Sequence, residues 1–290
     1  MNRNRGILTI VLCLILIIFL GNVLINGTTR GIGKSIGVFN FNLGSTELTE
    51  ENQYTSKLEN IKSIKLDVTV DDIIIEESND KDIKIIEKSN HKLEDNEKLQ
   101  INIKDEKLAI SRNDKKFILG RNNINRRLEI YLPKGYNNSL IVENNVGDIK
   151  INSDLKLDKL SISQNVGDLE LDSKIECNNF NFKNSTGDIE IKSIKGNGDI
   201  DYKVGNIECY LEGITGDVSI ESATGDIDVS INKDSSFILD SKYSLGDLDT
   251  NIKLDNCNTG EKSLSGNYGK NAKHILKLKT NVGDLNINTI

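Results

Sequence analysis

The chain has 290 residues, enough for two modest domains, with one Pro, no Trp, two His and a formal charge of −7. Residues 1–46 hold Arg3, Arg5, Arg30 and Lys34 and no acid, so the whole acidic excess lies in the remainder. A body of that charge argues against general nucleic-acid binding, which needs Lys and Arg to displace counterions from phosphates.

Residues 1–6 read as a short cytoplasmic tail and residues 7–26 as a transmembrane anchor. From Ile7 to Ile25 only Thr9, Gly21 and Asn22 fall outside the strongly apolar set. At ~1.5 Å per residue such a helix covers roughly the 30 Å hydrocarbon core. A secretory signal has a shorter apolar stretch followed by small residues at a cleavage site. Here no small-x-small pair follows the run, and Leu12 precedes Cys13 where a lipid-attachment signal wants a small residue. Arg3 and Arg5 favour a cytoplasmic N-terminus, opposed by Arg30 and Lys34 on the far side. The expectation is a single-pass cell-membrane protein with its body on the extracellular side.

Residues 27–60 are polar and read as a linker. Residues 61–137 form the N-terminal β part. "SIKLDVTVDDIIIEES" alternates at Ile64, Leu66, Val68 and Val70, then Ile73 and Ile75. "DIKII", "LQINI", "KLAIS" and "RLEIYLP" are further short strands bounded by Asn, Asp, Lys or Gly, and Pro133 closes the last of them.

Residues 138–290 form a Gly-Asp repeat region. Gly147, Gly167, Gly187, Gly205, Gly225, Gly246, Gly266 and Gly283 are separated by 20, 20, 18, 20, 21, 20 and 17 residues, and each is followed by Asp or Asn. The copy at Gly266 has poorly apolar flanks and reads as a loop; the other seven are structural turns. Each clear copy reads apolar-x-apolar, turn, Gly-Asp, apolar-x-apolar, as in Leu140, Val142, Ile149 and Ile151. Strand side chains alternate faces, so each arm places its apolar set on one side. Glycine takes the positive φ of a tight turn, and the following Asp bonds to nearby amides and holds the bend. One coil offers about five aliphatic side chains, each worth roughly 1.5–3 kcal/mol when buried. Fixing its residues costs ~1–2 kcal/mol each, so a lone coil loses and stacked coils share a core. The fold class is therefore all-β, a stacked β-repeat of coils about twenty residues long; the alternative is an antiparallel β-sandwich with regular turns.

The stretch "LEIYLPKGYNNSLIVENNVGDIKI" and the later "TGDI", "TGDV" and "NVGDL" units resemble the bacterial putative-adhesin family of β-strand-repeat, toast-rack-like domains. The resemblance covers roughly residues 60–290, with "VTVDDIIIEES" as a degenerate first unit. It implies a surface β domain, often membrane-tethered and sometimes associated with envelope-stress systems, and it supplies no catalytic residues.

Stacking would set Asp148, Asp168, Asp188, Asp226, Asp247 and Asp284 in a row at ~4.8 Å spacing. Such a row has two readings: turn capping, which local bonding explains, and recruitment of Ca²⁺, which prefers several oxygen ligands. Asn206 and Asn267 interrupt the row and no G-G-x-G-x-D repeat is present. Capping is the expected role, and no metal or cofactor is assigned. Cys177, Cys209 and Cys257 form no C-x-x-C pair, and they read as free thiols packed as small residues. His91 and His274 stand in Lys-rich contexts away from any nucleophile motif, and "GIGKS" lacks the spacing of a phosphate loop. No enzyme constellation appears. Tyr202, Tyr210 and Tyr243 are the remaining aromatic handles of the repeat, some of them expected outward.

The expected function is a non-enzymatic, membrane-anchored surface protein with a β-repeat adhesion or interaction module. The alternative is a regulatory or sensing component of a cell-envelope stress system. Expected partners are the membrane and a protein or other component of the cell envelope. The final copy, ending "DLNINTI", presents an open strand edge through which the chain could self-associate.

Overall fold

The computed structural model describes residues 48–112 and 125–290, and every regular element among them is a strand. The apolar run at 7–26 lies outside the described residues. The first half runs β1 (Glu50–Lys57), β2 (Ser63–Val70), β3 (Asp72–Ser78), β4 (Asp82–Ser89), β5 (Leu99–Lys104), β6 (Lys107–Arg112), β7 (Arg126–Pro133), β8 (Ser139–Val146), β9 (Ile149–Ile151) and β10 (Leu155–Val166). The second runs β11 (Leu169–Thr186), β12 (Ile189–Val204), β13 (Ile207–Thr224), β14 (Ile227–Ile231), β15 (Phe237–Leu245), β16 (Leu248–Thr250), β17 (Asp255–Gly260), β18 (Ser263–Tyr268), β19 (Ile275–Val282) and β20 (Leu285–Thr289).

Each coil crosses from one sheet to the other at a two-residue corner. On the first face the ladder runs β6, β2, β8, β10, then the C-terminal arms of β11, β12 and β13, then β19 and β15, all in parallel. On the second it runs β7, β3, β9, the N-terminal arms of β11, β12 and β13, then β14, β20 and β16, again in parallel. In the middle coils the chain stays extended round the far side too. Leu157 pairs Cys177, Ile175 pairs Ile194 and Ile194 pairs Leu211, which is why β11 and β13 reach 18 residues. Parallel pairing follows because successive coils wind the same way, displaced by one strand spacing.

The antiparallel sandwich is thereby overturned. Antiparallel pairs occur only at the ends of the stack, where β1, β4 and β7 form one group, β5 and β6 a hairpin, and β15, β18 and β17 another group. Terminal caps of this kind cover the last apolar layer of a stack.

The core is built of columns, one side chain per coil. Leu66, Val142, Ile162, Phe182, Ile200, Ile220 and Leu278 stand in register from the first sheet; Ile73, Ile149, Leu169, Ile189, Ile207, Ile227 and Leu285 face them from the second. All are buried. They are the alternate apolar positions of the sequence, and the intervening Lys, Glu, Asp, Asn and Ser point to water.

Three sequence expectations change. Residues 50–57, inside the stretch read as linker, form β1 and pair with β4 along their whole length. Gly266 is not a corner at all: it lies within β18, in the cap. Spatial order also departs from chain order at both ends. The coil of β6 and β7 lies outside the earlier coil of β2 and β3, and the last coil, β19 and β20, is inserted between β13–β14 and β15–β16. The final strand is therefore paired on both sides and offers no open edge. Instead, the chain makes its outermost coil and cap first and then returns inward, which hides the terminal strand's backbone groups in the ladder.

Candidate functional site: the glycine–aspartate corner

The corner between the sheets is the feature repeated in every coil. Along the stack the residues after the corner glycine, and Asp72 in the β2–β3 coil, run Asp72, Asp148, Asp168, Asp188, Asn206, Asp226, Asp284 and Asp247. The backbone N–H of each donates to Oδ1 of the one before: Asp148 to Asp72 at 3.2 Å, Asp168 to Asp148 at 2.9 Å, Asp188 to Asp168 at 2.8 Å and Asn206 to Asp188 at 2.7 Å. Asp226 donates to Asn206 at 3.0 Å, Asp284 to Asp226 at 2.8 Å and Asp247 to Asp284 at 2.8 Å. The side chain thus caps the next coil rather than its own bend, as local turn chemistry had suggested. Asn206 serves as well as Asp because the bond uses one oxygen acceptor and no charge.

The glycines obey the same logic. Gly187 has φ +140° and Gly205 φ +144°, and a Cβ on either would fall on the carbonyl oxygen of the preceding corner glycine, Gly167 or Gly187. Positive φ and close approach of backbone to backbone both demand glycine there. Gly147, Gly167, Gly225, Gly246 and Gly283 occupy equivalent corners. In the coil of β2 and β3 the glycine position is Asp71, whose carbonyl Gly147 packs against.

A second column runs inside the corner, three residues before each glycine, and sequence reasoning missed it. Asn144 Nδ2 donates to the Asp71 carbonyl at 2.8 Å, Gln164 Nε2 to that of Gly147, and Asn184 Nδ2 to that of Gly167 at 2.8 Å. Thr280 Oγ1 donates to the Gly225 carbonyl at 3.1 Å. All four side chains are buried. They satisfy corner carbonyls that would otherwise be desolvated. The signal was a polar residue at the inward phase of several arms, Asn144, Gln164, Asn184, Ser222 and Thr280. Tyr202 takes this position in its coil, so it is a core residue and not an outward handle; Tyr210 and Tyr243 are half-buried.

At the near end the corner meets a buried charge network. Arg112 Nη2 and Nε donate to Asp71 Oδ1 at 2.8 Å and Oδ2 at 3.2 Å, and Nη1 donates to Glu87 Oε1 at 2.5 Å and to the Glu97 carbonyl. Arg126 Nε lies 3.7 Å from Asp71 Oδ1, and Tyr54 donates to Glu87 Oε2 at 3.2 Å. Side chains of Arg112, Asp71 and Glu87 are wholly buried. Burial pushes the Asp71 carboxyl up against the opposing pull of Arg112 and Arg126. Burial and Glu87 raise the Tyr54 hydroxyl to about 12. This is the chemistry of a sealed cap, with every charge matched in place.

Burial raises Asp168 and Asp72 above the ordinary carboxylate range, and for Asp168 the neighbouring Asp148 and Asp188 add to it. The row of Asp148, Asp168, Asp188, Asp226, Asp247 and Asp284 is therefore real. However, every carboxylate in it but the terminal Asp247 has Oδ1 committed to an amide of the next coil, and among the described residues no group of three or more His, Cys, Asp or Glu could hold a metal ion. Cys177 and Cys209 are buried free thiols and Cys257 an exposed one; burial pushes Cys177 up to about 12. His91 is half-buried in the cap, its Nδ1 3.2 Å from Ser89 Oγ and its Nε2 3.6 Å from Glu97.

A model of the Toastrack DUF4097 family matches residues 61–196 and 183–288. Among solved structures, a putative cell adhesion protein from Clostridium sporogenes is 19% identical, with a TM-score of 0.43, over 83% of this chain and 99% of its own. A putative adhesin from Bacteroides fragilis is 16% identical, with a TM-score of 0.42, over 82% and 97%. A putative lipid binding protein from Parabacteroides distasonis is 15% identical, with a TM-score of 0.43, over 83% and 96%. No curated protein matches the sequence.

Proposed function

The chain belongs to the Toastrack DUF4097 family, and from that premise we propose that it is a non-enzymatic, membrane-anchored surface protein whose β-repeat body presents flat sheet faces to a partner in the cell envelope. The observation that carries the reading is the ladder itself. Backbone, Asp side chains and inner amides are spent on joining coil to coil, so the body is a rack whose charged strand residues point outward. A scaffold already ordered, with its polar side chains outward, suits recognition by surface, because little conformational freedom is lost on binding. The anchor reading rests on residues 7–26 and the charges beside them.

Cys257 gives a direct test, since it is exposed while Cys177 and Cys209 are buried. A membrane-impermeant maleimide applied to intact cells should label the chain, and Cys257→Ser should abolish the signal. Labelling that appears only after the membrane is opened would place the body on the inner side and end the proposal.

A further inference from the structure

The residue immediately before each corner glycine gives its backbone to the ladder, but its side chain stands on a ridge outside the core. Val146, Val166, Thr186, Val204, Thr224 and Val282 follow one another in register on adjacent coils, and Leu245 ends the row. Val166 is 48% exposed, Val204 49%, Val282 45% and Leu245 65%. These are four of the seven large apolar side chains exposed among the described residues, gathered in one line. From Val146 to Leu245 the line is roughly 29 Å long at ~4.8 Å per coil.

Unlike rows flank it. On the corner side lie the carboxylates of Asp148, Asp168, Asp188 and Asp226. On the other, two residues before each glycine, stand neutral or basic groups such as Asn145, Asn165, Ser185 and Lys203. The ridge is thus apolar along its crest, acidic on one shoulder and amide-rich on the other.

We propose that two copies of the chain pack side by side along this ridge, pointing the same way, about a twofold axis parallel to the stack. Identical coil spacing sets each ridge residue opposite its own equivalent, so the apolar crests meet without a slip in register. The parallel axis also sets Asp148 and Asp168 of each copy against Asn145 and Asn165 of the other, where amides can donate to carboxylates, and sets Lys203 against Asn206, one coil spacing from Asp188 on one side and Asp226 on the other. An axis across the ridge would instead set Asp against Asp, and like charges ~4 Å apart repel by about 1 kcal/mol per pair even in water.

The contact is narrow. A strip ~29 Å by ~10 Å covers ~300 Å² per copy, ~600 Å² in all, half of what a stable complex in solution buries. Association then depends on the effective concentration that tethering to one surface provides, and the parallel arrangement keeps both N-termini at the same end. The proposal rests on the anchored reading for that tether alone.

The test is disulfide cross-linking of the full chain in its membrane, in a Cys13→Ser, Cys257→Ser background, with a mild oxidant. Val166→Cys and Val204→Cys should each give a homodimer, at least ~5-fold more than Glu190→Cys, an exposed position on the second sheet. Adding Val204→Asp to the Val166→Cys chain should reduce its cross-link several-fold without shifting the thermal transition. Ridge cysteines that dimerise no better than Glu190→Cys would overturn the proposal. So would cross-linking of Val166→Cys to Val282→Cys, in a mixture of the two variants, in preference to itself, which is the signature of the opposed arrangement. Alkaline extraction of the same membranes reports the anchor separately. If the chain is released, the same comparison is made at ~1 mM in solution, where the same outcomes support or overturn the pairing.

Discussion

Replacing Gly187 with Ala should cut the stack at its middle. At φ +140° an Ala backbone is strained by about 1–3 kcal/mol. Its Cβ would land on the Gly167 carbonyl, so the coils must part locally. Parting weakens the bond from Gly167 N–H to the Thr186 carbonyl (3.0 Å) and that from Asp188 N–H to Asp168 Oδ1 (2.8 Å), worth about 1 kcal/mol each. The expected total is about 3–5 kcal/mol. Gly135 is the control: its φ is +86°, but a Cβ there meets nothing within 4 Å, so Gly135→Ala should cost only the ~1–2 kcal/mol of a left-handed Ala. Urea unfolding of the compact unit Gly44–Ile290, followed by far-ultraviolet circular dichroism, gives both values. Hydrogen exchange at the Gly167 and Asp188 amides should accelerate in the Gly187 variant alone. If the two variants fall within about 1 kcal/mol of each other, close approach between corners is not what holds the glycines in place.

Further expectations concern the side chains of the corner and the cap. Asp168 has a raised folded-state pKa, so the native protein takes up that proton at higher pH than the unfolded chain does. Its charge therefore costs stability at neutral pH, and the cost is relieved as pH falls through the folded pKa toward the ordinary carboxylate range. Asp168→Asn keeps the acceptor, as Asn206 does. It should be as stable as the parent or more so at pH 7, with that advantage fading on acidification; a variant clearly less stable at pH 7 would show that the charge itself holds the corner. Asn184→Ala leaves the Gly167 carbonyl without its donor and should cost about 1–3 kcal/mol by the same urea assay; no loss would mean the inner column is incidental. Arg112→Ala strands Asp71 and Glu87 in the cap and should cost about 3–5 kcal/mol, and a change under ~1 kcal/mol would refute a sealed network. A thiol titration of the folded unit should count one reactive cysteine, Cys257, with Cys177 and Cys209 appearing only on unfolding.

Much of this architecture is carried by local chemistry and was legible in the chain alone. Alternation such as Leu140, Val142, Ile149 and Ile151 can bury only one face of each arm. A Gly-Asp step recurring about every twenty residues can only be a recurring corner, and "VTVDDIIIEES" aligns with "ENNVGDIKI" in space as it does in sequence. The inner column was visible too, as Asn144, Gln164 and Asn184 at inward phase, but a polar residue there looks like an exception until its acceptor in the next coil is known.

The tertiary structure alone decided which coil lies beside which. Coils of one length and one alternation are nearly interchangeable neighbours, so periodicity cannot tell that β19 and β20 slip between β13–β14 and β15–β16. Nor can it tell that Asp caps the neighbouring coil and not its own bend. Arg112, Asp71 and Glu87 are brought together from positions 25 and 41 residues apart, as charges at or beside strand ends that look solvated until the cap closes over them. Period-two patterning acts within a strand, whereas order along the stack is a choice among similar long-range contacts, settled where the unequal ends are capped.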